Sequence, residues 1–242
     1  PLGTEAEDTD GFYEIPAPQI KTPLHQHHFN FRLDFDIDGQ ENAVYEVHNE
    51  AVDEDAWNHD NSENPGGNGW YMDETLIETE QEARMDIDPL NDRYWKITNP
   101  NQKGPYGYEP GFAIHPGNNV SSPMQPGSPA MRRAGFIDNN FWVTPYNKDE
   151  MYADGDHPNQ NDDVHGLREW AKQDRDIANK DVVAWYTMGV NHRTRPEDWP
   201  VLPVEVANFE IKPEGFTDQN PAIKLPPEPM ACEHDQQTMG DD

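Results

Sequence analysis

The segment 25–39 alternates strictly between two kinds of side chain, and a period of two predicts a β-strand. One face carries two histidines followed by hydrophobic residues: His25, His27, Phe29, Phe31, Leu33, Phe35 and Ile37. The opposite face is polar: Gln26, His28, Asn30, Arg32, Asp34, Asp36 and Asp38. We expect the face with the histidines to be buried. The Asp38-Gly39 pair predicts a turn, and alternation at 43–47 predicts a second strand after it.

The rest of the chain also favours strands over helices. Strand-like runs occur at 93–98, 141–144 and 182–187, whereas 76–84 has helix-forming residues without a continuous apolar stripe. The 23 prolines and 17 glycines predict long loops, including one at 48–70. These patterns predict an all-β fold, a mostly antiparallel β-sandwich. We expect it to occupy 21–225, after an acidic lead-in at 1–20 and before a disordered tail at 226–242.

The charge balance excludes one class of partner. The chain has 47 acidic and 17 basic residues, a net charge of −30, and a nucleic-acid-binding protein needs the opposite sign. A chain this acidic, with so few lysines, indicates a protein adapted to a cell interior with a high salt concentration. We therefore expect it to be located in the cytoplasm of a salt-adapted microbe. No stretch is long enough for a membrane span, so we expect no membrane partner. Because the chain begins with Pro1, we expect its native N-terminus to lie further upstream.

Two histidines on one strand face are candidate ligands for a single metal ion. A third candidate is His192, at the end of the strand-like segment 185–192. Three neutral imidazoles suit copper or zinc, although a histidine in a strand is often an ordinary structural residue. His28 faces the other way and is excluded from this set. A zinc hydrolase is the weakest alternative, because no general base is evident beside the histidines.

Other chemistry finds less support. Asp34, Asp36 and Asp38 share one strand face, and their spacing alone favours a solvated acidic surface over a calcium site. The single cysteine, Cys232, lies in the expected tail, and the chain has no G-x-S-x-G motif and no phosphate-binding glycine loop. Nucleophilic catalysis is therefore not expected.

Several dispersed motifs resemble the catalytic domain of copper-containing, quinone-dependent amine oxidases. They occur in order over residues 15–226: the segment 25–39, then 78–83, 94–97, 99–101, 141–146, 155–160, 181–192, 197–205 and 215–222. The resemblance implies a large antiparallel β-sandwich that forms a homodimer. It further implies that primary amines and dioxygen are converted to aldehydes, ammonia and hydrogen peroxide.

The resemblance also assigns residues to cofactors. It implies copper(II) bound by His25, His27 and His192, and a topaquinone made from a tyrosine of the enzyme. A peripheral calcium would bind Asp34, Asp36 and Asp181, with backbone oxygens from Phe35 and Val182. A second calcium site, found in some relatives, would use Glu80. Its other acids correspond here to Gln173 and Arg175, so we do not expect this second site unless Asp174 and Asp176 substitute after a one-residue shift.

Two features of the family are missing from this sequence. Its precursor tyrosine lies in an Asn-Tyr-Asp/Glu context upstream of the histidine strand, and this chain has no Asn-Tyr dipeptide. The proton-abstracting aspartate also lies upstream in the family. We therefore expect the C-terminal part of a catalytic domain, supplying the copper-binding half of the site and inactive alone. The alternative is a non-catalytic copper-binding scaffold. Leu202 stands where many relatives have a methionine near the copper.

Overall fold

In a computed structural model, residues 13–52, 67–159 and 165–226 are described here. They form three antiparallel sheets. The strands are β1 (Tyr13–Ala17), β2 (Ile20–Pro23), β3 (His25–Asp34), β4 (Ala43–Ala51), β5 (Trp70–Ile77), β6 (Tyr94–Thr98), β7 (Gly111–His115), β8 (Phe141–Pro145), β9 (Val182–His192) and β10 (Glu210–Glu214). Two short helices, α1 (Pro129–Arg133) and α2 (Leu167–Trp170), accompany them.

The two larger sheets pack face to face. One has the strand order β10-β7-β6-β4-β5, and the other has β9 between β3 and β8. Strand β9 is almost entirely buried along its first eight residues, because it is the central strand and both of its faces are covered. Strands β1 and β2 form a separate two-stranded sheet. The expected antiparallel β-sandwich is confirmed.

Aromatic rings join the two large sheets. Trp95 of β6 stacks on Phe141 of β8 with ring centroids 4.2 Å apart, and neither side chain is exposed to solvent. Tyr186 of β9 lies against Phe209, which precedes β10. Aromatic pairs of this kind contribute about 0.5–1.5 kcal/mol beyond the area they bury. The core between the sheets therefore fixes β9 from one side.

The other face of β9 packs beneath the helices. Trp142 and Trp185 lie in a second buried cluster with Leu167 and Ala171 of the α2 region. The Trp185 indole donates to Thr144 Oγ1 at 3.1 Å, so its polar atom is satisfied in the interior. None of the helices in the described part of the chain is long and apolar enough to cross a membrane.

Most of the expected strands are present, but the bounds of one expected loop were wrong. The segment 48–70 was expected to be a loop; instead β4 continues to Ala51 and β5 begins at Trp70, with the two strands paired in register. Residues 53–66 of that segment lie outside the described residues, as do 1–12 of the lead-in and 227–242 of the tail.

The sequence left the type of the segment 76–84 open. In the structure β5 ends at Ile77 and turns follow at 80–83, where Glu80 and Ala83 are buried.

The prediction that the histidine face of β3 is buried was also wrong. His25, His27, Phe29 and Phe31 are exposed, whereas Leu33 is partly buried against the core. The reason is geometric: the core between the sheets reaches only the Leu33 end of the strand. The Phe31 ring still contacts Phe209. From Phe29 back to His25, the described residues do not bury this face.

A buried ion-pair triad closes one side of the sandwich. The Arg175 guanidinium lies between the carboxylates of Glu80 and Glu150, at 2.6 Å from Glu80 Oε1 and 2.9 Å from Glu150 Oε1. Glu80 is fully buried and Glu150 nearly so. The hydrogen bonds to both carboxylates raise the pKa of Arg175 further above its usual value. A guanidinium therefore neutralises Glu80 here, and the absence of a second calcium site stays a prediction.

Replacing Arg175 by Gln should lower the free energy of unfolding by about 3–5 kcal/mol, because two carboxylates would remain buried without a counter-charge. The matched control is Lys172→Gln, which removes an exposed lysine paired with Glu169 and should cost at most about 1 kcal/mol. Urea unfolding at neutral pH measures both. Equal effects of the two substitutions would contradict this account of the triad.

Candidate metal centre

The backbone pairing of β3 with β9 brings three imidazoles together. In the antiparallel register His25 lies directly opposite His192, and His27 opposite Val190. Because side chains alternate between faces along a strand, His25, His27 and His192 all lie on one face of the pair. Residues more than 160 positions apart in sequence thus become neighbours at the end of the sheet.

The imidazole nitrogens converge on a small volume. His192 Nδ1 lies 2.9 Å from His25 Nε2 and 3.4 Å from His27 Nε2. One nitrogen from each ring lies within 4.8 Å of the other two. The rings are tilted with respect to one another, with centroids 4.5–5.5 Å apart. They therefore present lone pairs to a common point rather than stacking face to face.

A backbone carbonyl orients one of these rings. His25 Nδ1 lies 2.9 Å from the Pro23 carbonyl oxygen, which can only accept, so Nδ1 carries the proton. The Nε2 atom of His25 is then unprotonated and directed at the cluster. A hydrogen bond from the second ring nitrogen to a carbonyl is the usual means by which a metal-binding histidine is held in one tautomer.

The separations suit neighbouring ligands of one metal ion. Two nitrogens each about 2.05 Å from an ion lie about 2.9 Å apart at a right angle and about 3.4 Å apart at a tetrahedral angle. The distances from His192 Nδ1 match these two values. Three neutral imidazoles are a donor set suited to copper and zinc. The residues present therefore fit a metal ion.

Cavities lie on both sides of the cluster. One, of about 480 Å³, is mostly apolar and includes His27, Phe29, Met188 and Leu202 in its lining. The other, of about 570 Å³, borders His25. His192 borders both cavities. The three imidazoles thus separate two accessible spaces, and a small molecule could approach a bound ion from either one.

Burial and neighbouring imidazoles make protonation of His192 unfavourable. The pKa of His192 is lowered, first by burial and then by the nearby His25 and His27. The pKa of His28, on the opposite face, is lowered by burial and then by His27. Neutral rings are the form that binds metal ions. The lowered pKa of His192 therefore keeps this ring in its neutral, metal-binding form at lower pH than a free imidazole.

The remaining histidines in the described residues lie apart from this cluster. His28 Nε2 contacts Gln26 Oε1 on the opposite face, as its position in the strand predicted. His115 stacks on Tyr94, and His48 lies beside Glu50. Among the described residues, the three imidazoles of the cluster form the one group of three metal-binding side chains whose ligand atoms all lie within 4.8 Å of one another; Asp34, Asp36 and Asp181 are less tightly grouped.

The acidic residues named from the resemblance also lie near one another. Burial raises the pKa of Asp181, and the nearby Asp34 and Asp36 raise it further. The Asp181 Oδ1 atom is buried and has no hydrogen-bond partner among the described residues. Asp34 is partly neutralised by Arg32 at 3.0 Å. A buried acceptor beside two further carboxylates fits a hard cation.

Sequence reasoning placed Leu202 near the metal by resemblance but missed the ion pair that fixes the turn after His192. Arg195 and Asp198 form a bidentate ion pair and a capping interaction that fix the turn 195–199. The next residues bring Leu202 and Glu205 to the cavity beside His27. Pro196, at the first position of the short helix in this turn, was a usable signal for the turn. The carbonyl of Pro23 carried no such signal, because any residue supplies one.

The fold and the imidazole cluster together define a β-sandwich with a candidate metal centre, and comparisons with known proteins identify its family. A family model described as copper amine oxidase, enzyme domain, matches residues 3–231. The chain therefore belongs to the copper amine oxidase family, which confirms the resemblance noted in the sequence.

Individual relatives agree with this assignment. A primary amine oxidase from Arthrobacter sp. is 38% identical over 220 residues, which cover 90% of this chain and 31% of the relative. A histamine oxidase from Arthrobacter globiformis is 38% identical over 87% of this chain and 30% of the relative. A copper-containing benzylamine oxidase from Hansenula polymorpha superposes with a TM-score of 0.81 at 31% identity, covering 90% of this chain and 34% of that one. The chain thus spans about a third of the length of these relatives.

The metal-free protein should lose stability as the pH falls through about 6.5. The lowered pKa of folded His192 means that the unfolded chain binds a proton there more readily, so this contribution is present above pH 6.5 and lost below it. His192→Gln should therefore reduce the loss of unfolding free energy between pH 7.5 and 5.5, measured by urea unfolding with a chelator present.

The control for this comparison is His157→Gln, which replaces an exposed histidine in a loop. Its pH dependence should match that of the unchanged protein. If His192→Gln and the unchanged protein lost equal stability on acidification, the cluster would not resist protonation.

Proposed function

We propose that His25, His27 and His192 bind copper(II), and that this chain supplies the copper-binding half of the active site of a primary-amine oxidase. The observation that carries the proposal is the convergence of three imidazole nitrogens at separations of 2.9 and 3.4 Å from His192 Nδ1. Membership of the copper amine oxidase family supports it. In such an oxidase, copper supplies one-electron and dioxygen chemistry.

Copper is favoured over zinc for two reasons. An imidazole site generally binds Cu²⁺ more tightly than Zn²⁺ among the divalent ions. In addition, family membership names copper, whereas a zinc hydrolase would need a general base beside the ligands. The contribution of this chain's own residues is to hold three neutral rings in place and to leave open space on both sides of the ion.

The residues of this chain do not fit the formation of topaquinone. The sequence has no Asn-Tyr dipeptide, which the family's precursor tyrosine requires. No step involving the quinone is therefore assigned to these residues, and the chain alone is proposed to be inactive toward amines. The alternative stays a non-catalytic copper-binding scaffold.

Substrates and partners follow from the oxidase proposal. The substrates would be a primary amine and dioxygen, and the products an aldehyde, ammonia and hydrogen peroxide. The named relatives include oxidases of histamine and benzylamine, so the preferred amine differs within the family. A homodimer and a location in the cytoplasm of a salt-adapted microbe stay predictions.

A peripheral calcium ion at Asp34, Asp36 and Asp181 is part of the same proposal. The unpartnered Oδ1 atom of Asp181 and the raised pKa of its carboxyl group support a cation at this position. Calcium takes six to eight oxygen ligands, so the backbone oxygens of Phe35 and Val182 would contribute as well.

The purified, metal-stripped chain should bind one Cu²⁺ more tightly than Zn²⁺. Electron paramagnetic resonance should show a tetragonal signal with nitrogen coordination. His27→Ala should weaken Cu²⁺ binding by more than about 100-fold because it removes a ligand, more than the loss of a supporting partner would cost. The matched control, His48→Ala, should leave the spectrum and the affinity nearly unchanged, since this histidine lies on β4 beside Glu50, apart from the cluster.

A catalytic readout separates the two candidates. The copper-loaded chain should give no hydrogen peroxide with benzylamine and no quinone stain, whereas the natural gene product should give both if it is an oxidase. Copper binding without either signal in the natural product would favour the scaffold. Binding that is unaffected by His27→Ala would overturn both.

Calcium should raise the unfolding temperature of the chain, because an ion that binds only the folded state stabilises it. Asp181→Asn should abolish this shift while keeping the side-chain shape. Magnesium at the same concentration provides the ionic-strength control and should have a smaller effect, since it demands near-ideal octahedral geometry. An equal shift in the Asp181→Asn variant would exclude this site.

A further inference from the structure

A hydrogen-bonded layer lies on the reverse of the candidate metal centre. Gln26 and Asn191 are directly opposite each other in the β3–β9 register, between the His25–His192 pair and the His27–Val190 pair. Gln26 Nε2 donates to Asn191 Oδ1 at 2.7 Å. Their side chains therefore join the two strands from the face opposite the imidazoles.

The amide pair lies next to the end of both strands, where the proposed metal-binding histidines are. His25 is the first residue of β3 and His192 is the last residue of β9, and strand ends open more readily than strand centres. Two of the three imidazoles thus belong to the terminal pair. The Gln26–Asn191 bond joins the strands one residue before that end.

Neighbouring groups hold the amide pair in place. His28 Nε2 contacts Gln26 Oε1 at 3.3 Å, so both ends of the Gln26 amide are engaged. The segment 119–121 crosses the same face, and Asn119 Oδ1 accepts from the Gly189 backbone N–H at 2.7 Å. A Cβ atom on Gly189 would lie 2.7 Å from the Val120 carbonyl oxygen, so the segment passes too close for any larger residue.

We propose that Gln26 and Asn191 are positioning residues for the metal centre, closing the end of the β3–β9 ladder so that His192 stays within reach of His25 and His27. This inference rests on the proposed copper site and deepens it. The two side chains lie on the face opposite the imidazoles, so the pair acts through the backbone that carries the ligands. A preorganised site binds its ion more tightly, because less ordering remains to be done on binding.

The structure offers a matched pair elsewhere on the same strands. Asn30 Nδ2 donates to Thr187 Oγ1 at 2.9 Å, and Asn30 lies directly opposite Thr187 in the register. This pair joins the same two strands on the same face, four residues further from the end. Its loss should weaken the fold without loosening the imidazoles.

The test compares three nearly isosteric variants of the full chain: Gln26→Met, Asn191→Leu and Thr187→Val. Each of the first two should raise the Cu²⁺ dissociation constant about fivefold, because the free energy contributed by one cross-strand side-chain pair corresponds to at most about that factor. Each should also broaden the electron paramagnetic resonance spectrum of the copper. The double variant Gln26→Met/Asn191→Leu should be no weaker than either single one, because both substitutions remove the same bond. Thr187→Val should leave the dissociation constant unchanged.

A metal-free measurement provides the second readout. Amide hydrogen exchange without copper should become faster at 25–27 and 190–192 in the Gln26→Met variant, and not elsewhere in the strands. Unchanged copper affinity in Gln26→Met and Asn191→Leu would overturn the positioning role, and so would an equal loss in Thr187→Val. If instead the His27→Ala variant bound copper as tightly as the unchanged chain, the proposed function itself would have failed. The two failures are therefore distinguishable.

Discussion

The backbone ladder between β3 and β9 is the interaction on which the rest of the structure depends. It runs without interruption from His25–His192 to Asp34–Val183. One end carries the imidazoles and the other leads into the acidic residues Asp34, Asp36 and Asp181. A shift of one residue in this register would turn every imidazole of one strand to the opposite face. Both candidate metal positions therefore rely on the same set of main-chain hydrogen bonds.

Strand β9 can hold that register because it is buried on both faces. Trp185 packs in the cluster beneath the helices, while Tyr186 lies in the core between the sheets. The Tyr186 hydroxyl donates to the Pro116 carbonyl at 2.8 Å, and burial raises its pKa to about 12. A strand fixed this firmly in its centre can present a histidine at its end, where the described residues leave open space.

Local patterns in the sequence predicted the fold class and most of the strands, because alternation reports which residues share a face. They could not predict which face is covered. The exposure of Phe29 and Phe31 depends on how far the opposite sheet extends, and that is a property of the assembled sandwich. The sequence offered His192 as a third candidate ligand because it ends a strand-like segment, but no local rule shows that residues so distant lie side by side; the resemblance supplied that expectation. The Pro23 carbonyl and the Gln26–Asn191 pair were likewise invisible, since backbone acceptors and surface amides occur everywhere.

The distance along the chain between the paired imidazoles has a kinetic consequence. His25 and His192 are separated by 167 positions, so their approach must await the closure of a long loop, whose entropic cost is met by the surrounding sheets. An ion held between them would act as a reversible cross-link between the beginning and the end of the folded unit. Opening of the sandwich would then require release of the ion, and the lifetime of the folded state would depend on the supply of free metal.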